Sequence, residues 1–321
     1  MGVHNFGVRM IHISVVVPVY KEEVNIQPFL QRTEAALARM GISYEIIFVL
    51  DPSPDNSERV ILDEISRNSN IKLLVLSRRF GQPAATMAGI LTCTGKTCVV
   101  IDVDLQDQPE FIEQLYVKLA EGYEVVYAKR RSRIGETLVK RILSYVGYSI
   151  INKFSDVYIP RNTGDFRIVT RRVIEELRRL NESHGFLRGL VAYVGFKQTF
   201  IEYDRDKRYA GKSNYNRLTG SLKIGLNGLI SFSSRPLQVM SLVGFMLAGF
   251  SFLLGGWYLF QKLIGIELTP GLSTTVLVVT FFSGVQLLAL GLMGEYVGRI
   301  YDEVKQRPLY IIDKKINFKT E

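Results

Sequence analysis

The chain is poor in the residues that build metal clusters and disulfide frameworks. Only two of its 321 residues are cysteine and three are histidine. Cys93 and Cys98 form no C-x-x-C pair, and with so few histidines they exclude a zinc cluster of any standard spacing. They give no disulfide framework either, so a reducing compartment is expected. Neither G-x-G-x-x-G nor G-x-x-x-x-G-K-[ST] occurs, which removes the dinucleotide and P-loop readings. Internal repeats and low-complexity segments are missing as well. Acidic residues fall short of basic ones, 31 against 40, leaving a net charge of +9. Such an excess suits nucleic acid, anionic lipid or a phosphorylated substrate.

Charge is lacking altogether from two long runs, residues 237–260 and 268–294. Each exceeds the roughly 20 residues that carry a helix across a bilayer. Small residues inside them (Gly244, Gly249, Gly284 and Gly291 among others) allow close helix packing. The loop between the runs has one basic residue, Lys262, whereas Arg205, Lys207, Arg208, Lys212 and Arg217 precede the first run and Arg299, Lys305 and Arg307 follow the second. The positive-inside rule then predicts a two-span protein of the inner (plasma) membrane, with its N-terminal part and tail cytoplasmic. Residues 134–154 and 217–235 repeat apolar side chains at helical spacing beside basic ones, and are expected to lie in the headgroup plane. The organisation expected is an N-terminal extension (1–12), a catalytic domain (13–216, including 134–154), a juxtamembrane helix (217–235), two spans (236–295) and a tail (296–321).

The first 130 residues alternate strand and helix patterns. Apolar, β-branched runs at 13–17, 44–50, 71–76, 97–101 and 124–127 predict strands buried on both faces. Between them, Ile26, Phe29, Leu30, Leu37 and Met40 mark one helix face closed by Gly41. Asp55-Asn-Ser-Glu58 resembles a capping box, and Pro83 and Pro109 stand at further helix starts. This predicts an α/β fold with a doubly wound, mostly parallel sheet, whose ligands bind at the carboxyl ends of the strands. Those ends carry Pro18-Val-Tyr20-Lys-Glu22, Asp51-Pro-Ser53-Pro-Asp55 and Asp102-Val-Asp104-Leu-Gln106-Asp107. Carboxylates so gathered repel one another and call for a cation, and oxygen ligands select Mg²⁺ or Mn²⁺ bridged to substrate phosphates.

These segments, together with Ser77-Arg-Arg-Phe-Gly81-Gln82, Thr163-Gly-Asp165-Phe-Arg167 and Arg208-Tyr-Ala-Gly211-Lys212-Ser213, resemble the family 2 glycosyltransferases. Within these the chain is most similar to polyisoprenyl-phosphate glycosyltransferases of the bactoprenol glucosyltransferase type, relatives of dolichol-phosphate mannose synthase. The resemblance implies a Rossmann-like GT-A fold, a nucleotide-sugar donor with UDP-glucose foremost, Mg²⁺ or Mn²⁺, a polyprenyl phosphate acceptor such as undecaprenyl phosphate, and a membrane-bound homo-oligomer with no nucleic-acid partner. By the same resemblance, Pro18, Tyr20, Glu22, Asp51, Asp102 and Gln106 fall at nucleotide-sugar positions. Asp104 and Asp102 fall at the metal, and Asp165, Arg208 and Lys212 at the reacting groups. One departure stands out: the family's usual Asp-Asp-Gly-Ser is here Leu50-Asp51-Pro52-Ser53, which bears on the nucleotide base.

A phosphate monoester has a second pKa near ~6 and is mostly ionised at neutral pH. Asp165 is therefore expected either to take a residual proton as general base, the reading narrowly preferred, or to hold Arg167 or Arg208 in position. A single displacement would invert the anomeric centre. Among rival functions, a processive polysaccharide synthase needs a Gln-x-x-Arg-Trp element, and the one tryptophan, Trp257, lies inside the first apolar run. A non-catalytic nucleotide-binding scaffold would not need Asp102, Asp104 and Asp165. Two spans are too few for a flippase path in one chain.

Overall fold

The computed structural model describes residues 11–131, 163–180, 187–206, 208–210, 233–265 and 271–318. Lys212, the segment 134–154 and residues 217–232 lie outside them.

The chain begins with β1 (Ile13–Val19), α1 (Glu23–Met40), β2 (Tyr44–Leu50), α2 (Ser57–Arg67), β3 (Ile71–Leu76), α3 (Gln82–Thr92) and β4 (Thr97–Val100). A 3-10 turn (Pro109–Phe111) leads into α4 (Ile112–Ala120), β5 (Val125–Arg130) and β6 (Thr163–Thr170). There follow α5 (Arg171–Arg179), α6 (Leu187–Tyr193), β7 (Gln198–Tyr203), the long helices α7 (Arg235–Leu263) and α8 (Leu272–Val304), and β8 (Ile312–Ile316). One eight-stranded sheet runs in the order β7-β5-β6-β4-β1-β2-β3-β8. β1, β2, β3 and β4 are parallel neighbours, as are β5 and β7, while the β4–β6, β5–β6 and β3–β8 pairs are antiparallel.

Alternation along the strands splits the core over the two faces of the sheet. Ile13, Val15, Val17 and Phe48 meet α1, α2 and α4 through Ile26, Phe29, Ile61 and Leu115. Val16, Ile47, Val49 and Leu74 face the other way, toward α3, α5 and α6. Gly89 lets α3 lie directly on β1, since a Cβ there would collide with Val16. Helix α1 ends at Gly41, whose φ of 65° is the left-handed cap that the sequence predicts.

The five expected strands are present, β5 extending to Arg130. Three further strands were not read from the sequence. β6 and β7 build out one side of the sheet, and β8 reaches β3 only through a pairing far along the chain. The capping box at 55–58 does not form. Asp55 accepts instead from the amide and hydroxyl of Ser57 and from the Ser53 hydroxyl, and Glu58 pairs with Lys314.

Helices α7 and α8 are long and apolar enough to cross a membrane, and among the described residues none buries their apolar stretches, Arg235–Trp257 and Leu277–Val304. Tyr296 of α8 donates to the Ser233 carbonyl at 2.7 Å, tying α8 to the residues that lead into α7. Beyond α8 the chain returns to the sheet. Ser77 donates to the Ile311 carbonyl at 2.9 Å, and the Asn317 side chain donates to the carbonyls of Ser69 and Ile71.

Candidate active site

The carboxyl ends of β1, β2 and β4 bring Glu22, Asp51 and Asp102–Asp107 to one edge of the sheet, joined there by Asp165 of β6 and the segment after β7. Opposite, at the amino ends, the buried Ser14 and Glu45 are bonded to Lys72 and Thr94.

Asp51 is buried at the end of β2. Its two carboxylate oxygens accept the backbone amides of Phe80 and Gly81 at 3.1 and 2.9 Å. They thereby fix the turn into α3, where Gly81 takes a φ of 94°. Pro18 pairs with Val49 across the sheet, and the Tyr20 ring lies under the Arg79 guanidinium, 4.0 Å from the ring centre. Lys21 takes a left-handed φ of 58°, and its amide donates to the Ser53 hydroxyl. The strand end is thus turned sharply enough to bring Glu22 inward.

The Asp102–Asp107 loop turns through Leu105, again left-handed at φ 59°. Asp102 is half-buried and accepts from the Gln82 side chain at 2.7 Å. Asp104 accepts the Gln106 amide on one oxygen and the Arg208 guanidinium on the other, at 3.1 and 3.0 Å. The Gln106 side chain donates to the Asp206 carbonyl. Asp107, fully buried, is ligated by Arg205 at 2.9 Å and by the Tyr203 hydroxyl. Burial, followed by the charges of Asp107, Asp104 and Asp165, pushes the Asp102 carboxyl up to about 8. Burial also raises Glu22, although Asn25 and Arg208 pull the other way.

The carboxylates' repulsion is not left to a cation alone, contrary to the expectation from the sequence. Arg208 and Arg205 already relieve part of it, pairing with Glu22 and Asp104 and with Asp107. Among the described residues no three His, Cys, Asp or Glu side chains are grouped to hold a metal ion by themselves. Mg²⁺ and Mn²⁺ sites at phosphates commonly use only one or two carboxylates and complete the shell with water and substrate oxygens. Asp102 and Asp104, crowded at one strand end, fit an ion of that kind.

Asp165 belongs to a separate cluster. Its carboxylate accepts Arg167 Nη2 at 3.1 Å and Arg188 Nε and Nη2 at 3.0 and 3.3 Å. Burial alone would raise this carboxyl, but Arg188 and Arg167 outweigh it and hold it well below the usual carboxylate range. Arg208, one of the two partners considered for Asp165, pairs elsewhere. Arg167 is fully buried, and among the described residues its Nη1 has no hydrogen-bond partner, nor has the buried Nε of Arg130. Gly164 makes room for Arg130, since a Cβ there would stand 2.8 Å from its Nη2.

Sequence reasoning missed Arg188, Arg205, Asp107 and the bond from Gln82 to Asp102. Arg188 and Arg205 carry no local signal, because α6 and the end of β7 reach the site only through tertiary packing. Asp107 and Gln82 stand inside segments already singled out, and the nearness of Asp107 to Asp102 and Asp104 in the chain was a usable clue.

Comparison with known proteins identifies the family. The glycosyl transferase family 2 model matches residues 14–178. The uncharacterized glycosyltransferase YkcC of Bacillus subtilis is 43% identical over 95% of this chain and 94% of its own length. The SfII prophage-derived bactoprenol glucosyl transferase of Shigella flexneri is 37% identical over 94% of this chain and 97% of its own. Among solved structures, glucosyl-3-phosphoglycerate synthase from Mycobacterium tuberculosis, in complex with Mn²⁺, UDP-glucose and phosphoglyceric acid, aligns over 68% of this chain and 79% of that one, at 17% identity and a TM-score of 0.45. By the family match and by relatives alike over nearly their whole length, the chain belongs to glycosyl transferase family 2.

Proposed function

We propose that the protein moves a hexose, glucose, from UDP-glucose to a polyprenyl phosphate such as undecaprenyl phosphate, inverting the anomeric carbon, at the cytoplasmic face of the inner membrane. The observation that carries this reading is the meeting of two unlike clusters at one sheet edge. Crowded carboxylates at Asp102 and Asp104 stand beside an arginine group, the buried Arg167 with the partly exposed Arg130 and Arg188, around Asp165. Relatives named bactoprenol glucosyl transferase, at 34–37% identity, supply the acceptor class. The apolar helices α7 and α8 keep the acceptor's hydrocarbon tail and the site at one surface.

In this reading Asp102 and Asp104 would hold Mg²⁺ or Mn²⁺, which would supply positive charge to offset that of the nucleoside diphosphate. Tyr20, Pro18 and Asp51 border the nucleoside. An oxygen of the acceptor phosphate attacks the anomeric carbon as its bond to the diphosphate oxygen breaks, and UDP leaves. Among the described residues, Arg167 and Arg130 each keep one buried nitrogen without a partner, so the group around Asp165 holds unspent positive donor capacity beside the reacting phosphate. Asp165 acts chiefly by orienting Arg188 and Arg167. A carboxylate held so far below its ordinary range is a poor proton acceptor near neutral pH.

A donor panel tests the proposal: labelled UDP- and GDP-sugars, undecaprenyl phosphate and Mg²⁺ or Mn²⁺, scored for lipid-extractable label. UDP-glucose is expected to give the strongest signal. Label from GDP-mannose or an aminosugar donor alone would change the sugar, and no label from any donor would favour a nucleotide-binding scaffold.

A further inference from the structure

The segment after β7 is tied along the Asp102–Asp107 loop. The Asp206 amide donates to the Gln106 carbonyl at 3.0 Å, and the Tyr209 amide to the Asp104 carbonyl at 3.3 Å. Gln108 donates to the Asp206 carboxylate at 2.8 Å, and Asn25 reaches the Ala210 carbonyl at 3.4 Å. This anchorage delivers Arg208 to the gap between two strand ends. Its Nη1 donates to Glu22 at 3.1 Å and its Nη2 to Asp104 at 3.0 Å. Glu22 and Asp104 are only 9% and 5% exposed. Two carboxylates buried to that depth need a counter-charge, and the planar guanidinium fork spans both.

We infer that Arg208 is the site's resident counter-ion, closing Asp104 to a divalent cation until a nucleoside diphosphate offers the guanidinium another anion. The inference rests on the nucleotide-sugar reading above and adds an order of events to it. A divalent ion arriving alone must displace Arg208 from Asp104 and leave two cationic groups side by side. When a diphosphate arrives with the ion, Arg208 turns to phosphate oxygens, for which its fork is suited, and the ion gains oxygen ligands. Each ligand removes a cost that the other would bear alone. That is a coupling free energy, and it must be reciprocal. Arg205 keeps its own bond to Asp107 and holds the segment in place while Arg208 moves.

The test is Mn²⁺ binding to the purified full chain in detergent, with free Mn²⁺ read by electron paramagnetic resonance, alone and with UDP. UDP binding is followed separately by calorimetry. In the unmutated protein UDP is expected to tighten Mn²⁺ binding by about 30-fold, and Arg208→Ala to bind Mn²⁺ alone about 10-fold tighter than the unmutated protein, with the UDP effect reduced to about 3-fold. Arg208→Lys, a point charge without the fork, falls between the two. Arg208→Ala binding Mn²⁺ alone no tighter than the unmutated chain would overturn the inference. So would UDP that binds the unmutated chain and leaves its Mn²⁺ affinity unchanged. If Arg208→Ala does not fold, as judged by circular dichroism and thermal melting, the Arg208→Lys comparison and the unmutated chain's UDP effect decide. Failure of the underlying reading has a different signature: neither UDP nor GDP binds, while Arg208→Ala still takes Mn²⁺ more tightly, which keeps the counter-ion role and discards the nucleotide.

Discussion

Arg188 grips Asp165 with two nitrogens, Nε at 3.0 Å and Nη2 at 3.3 Å, while Arg167 takes one of the same oxygens from within β6. The carboxylate is thus shared between two guanidinium groups, and the proposed orienting role rests on that sharing. Asp165→Asn is expected to lower kcat by about 10²–10³-fold through loss of this orientation. Its rate from about pH 6 to 9 should run parallel to that of the unmutated enzyme. Arg188→Ala should cost a similar factor, and Arg188→Lys should recover only part of it. Rates at saturating donor and lipid over that pH range check this, and an Asp165→Asn rate climbing steeply with pH would restore the general-base role.

Asp104 is the second test. Asp104→Asn removes a charged ligand from a site that must balance a diphosphate, and turnover should fall by about 10³-fold. Chelator in excess should abolish turnover of the unmutated enzyme, and added Mg²⁺ or Mn²⁺ should restore it. Full activity in excess chelator would discard the metal.

Glu45 concerns stability, far from the reaction. It is buried, with Lys72 at 2.5 Å and the Ser14 hydroxyl and Thr94 amide also donating to it. Burial pushes its pKa up, but these partners outweigh that and set it below the ordinary 4.5. A carboxyl lowered on folding contributes stability that is fully present above its unfolded pKa and lost as pH falls through the folded one. Glu45→Ala should therefore cost about 3 kcal/mol near neutral pH, because it strands Lys72. The gap between Glu45→Gln and the unmutated chain should shrink below about pH 4. Chemical denaturation of the full chain in detergent, at several pH values, measures both.

Topology follows from charge and from pairing. A reporter fused after Glu321 should be cytoplasmic and one inserted at Gly265 external. β8 belongs to the same sheet as β1, so the chain must cross any membrane between Arg235 and Ile312 an even number of times. Reporters on one side would replace the two-span arrangement with helices lying along the surface.

The parts legible in the sequence were those written locally. Alternating apolar runs announced β1 to β5, Gly41 announced the end of α1, and the carboxylates at strand ends announced the edge where the site lies. β8 was not legible, because Ile-Asp-Lys-Lys-Ile carries three charges and becomes a strand only through the exposed edge of β3. Arg188 was hidden for the same reason. Its partner lies 23 residues away on another element, and no periodicity connects the two. The reading of Asp165 leaned toward a base because its neighbours were unknown. Once two arginines share the carboxylate, electrostatics favours the ionised, orienting form.

The β3–β8 pairing also bears on how the protein can be taken apart. β3 reads Ile-Lys-Leu-Leu-Val-Leu, and without β8 its backbone donors and acceptors from Leu73 to Leu76 would lie bare along the rim. A bare, apolar rim strand is a template for other chains. Stopping the chain before the apolar helices, the usual way to make such an enzyme water-soluble, therefore strips the protective strand along with the helices. A catalytic fragment ending near Ser233 is expected to aggregate. Joining residues 307–318 to it through a flexible linker is expected to return it to a monodisperse form on size-exclusion chromatography, since the lost element is a strand and not the bilayer.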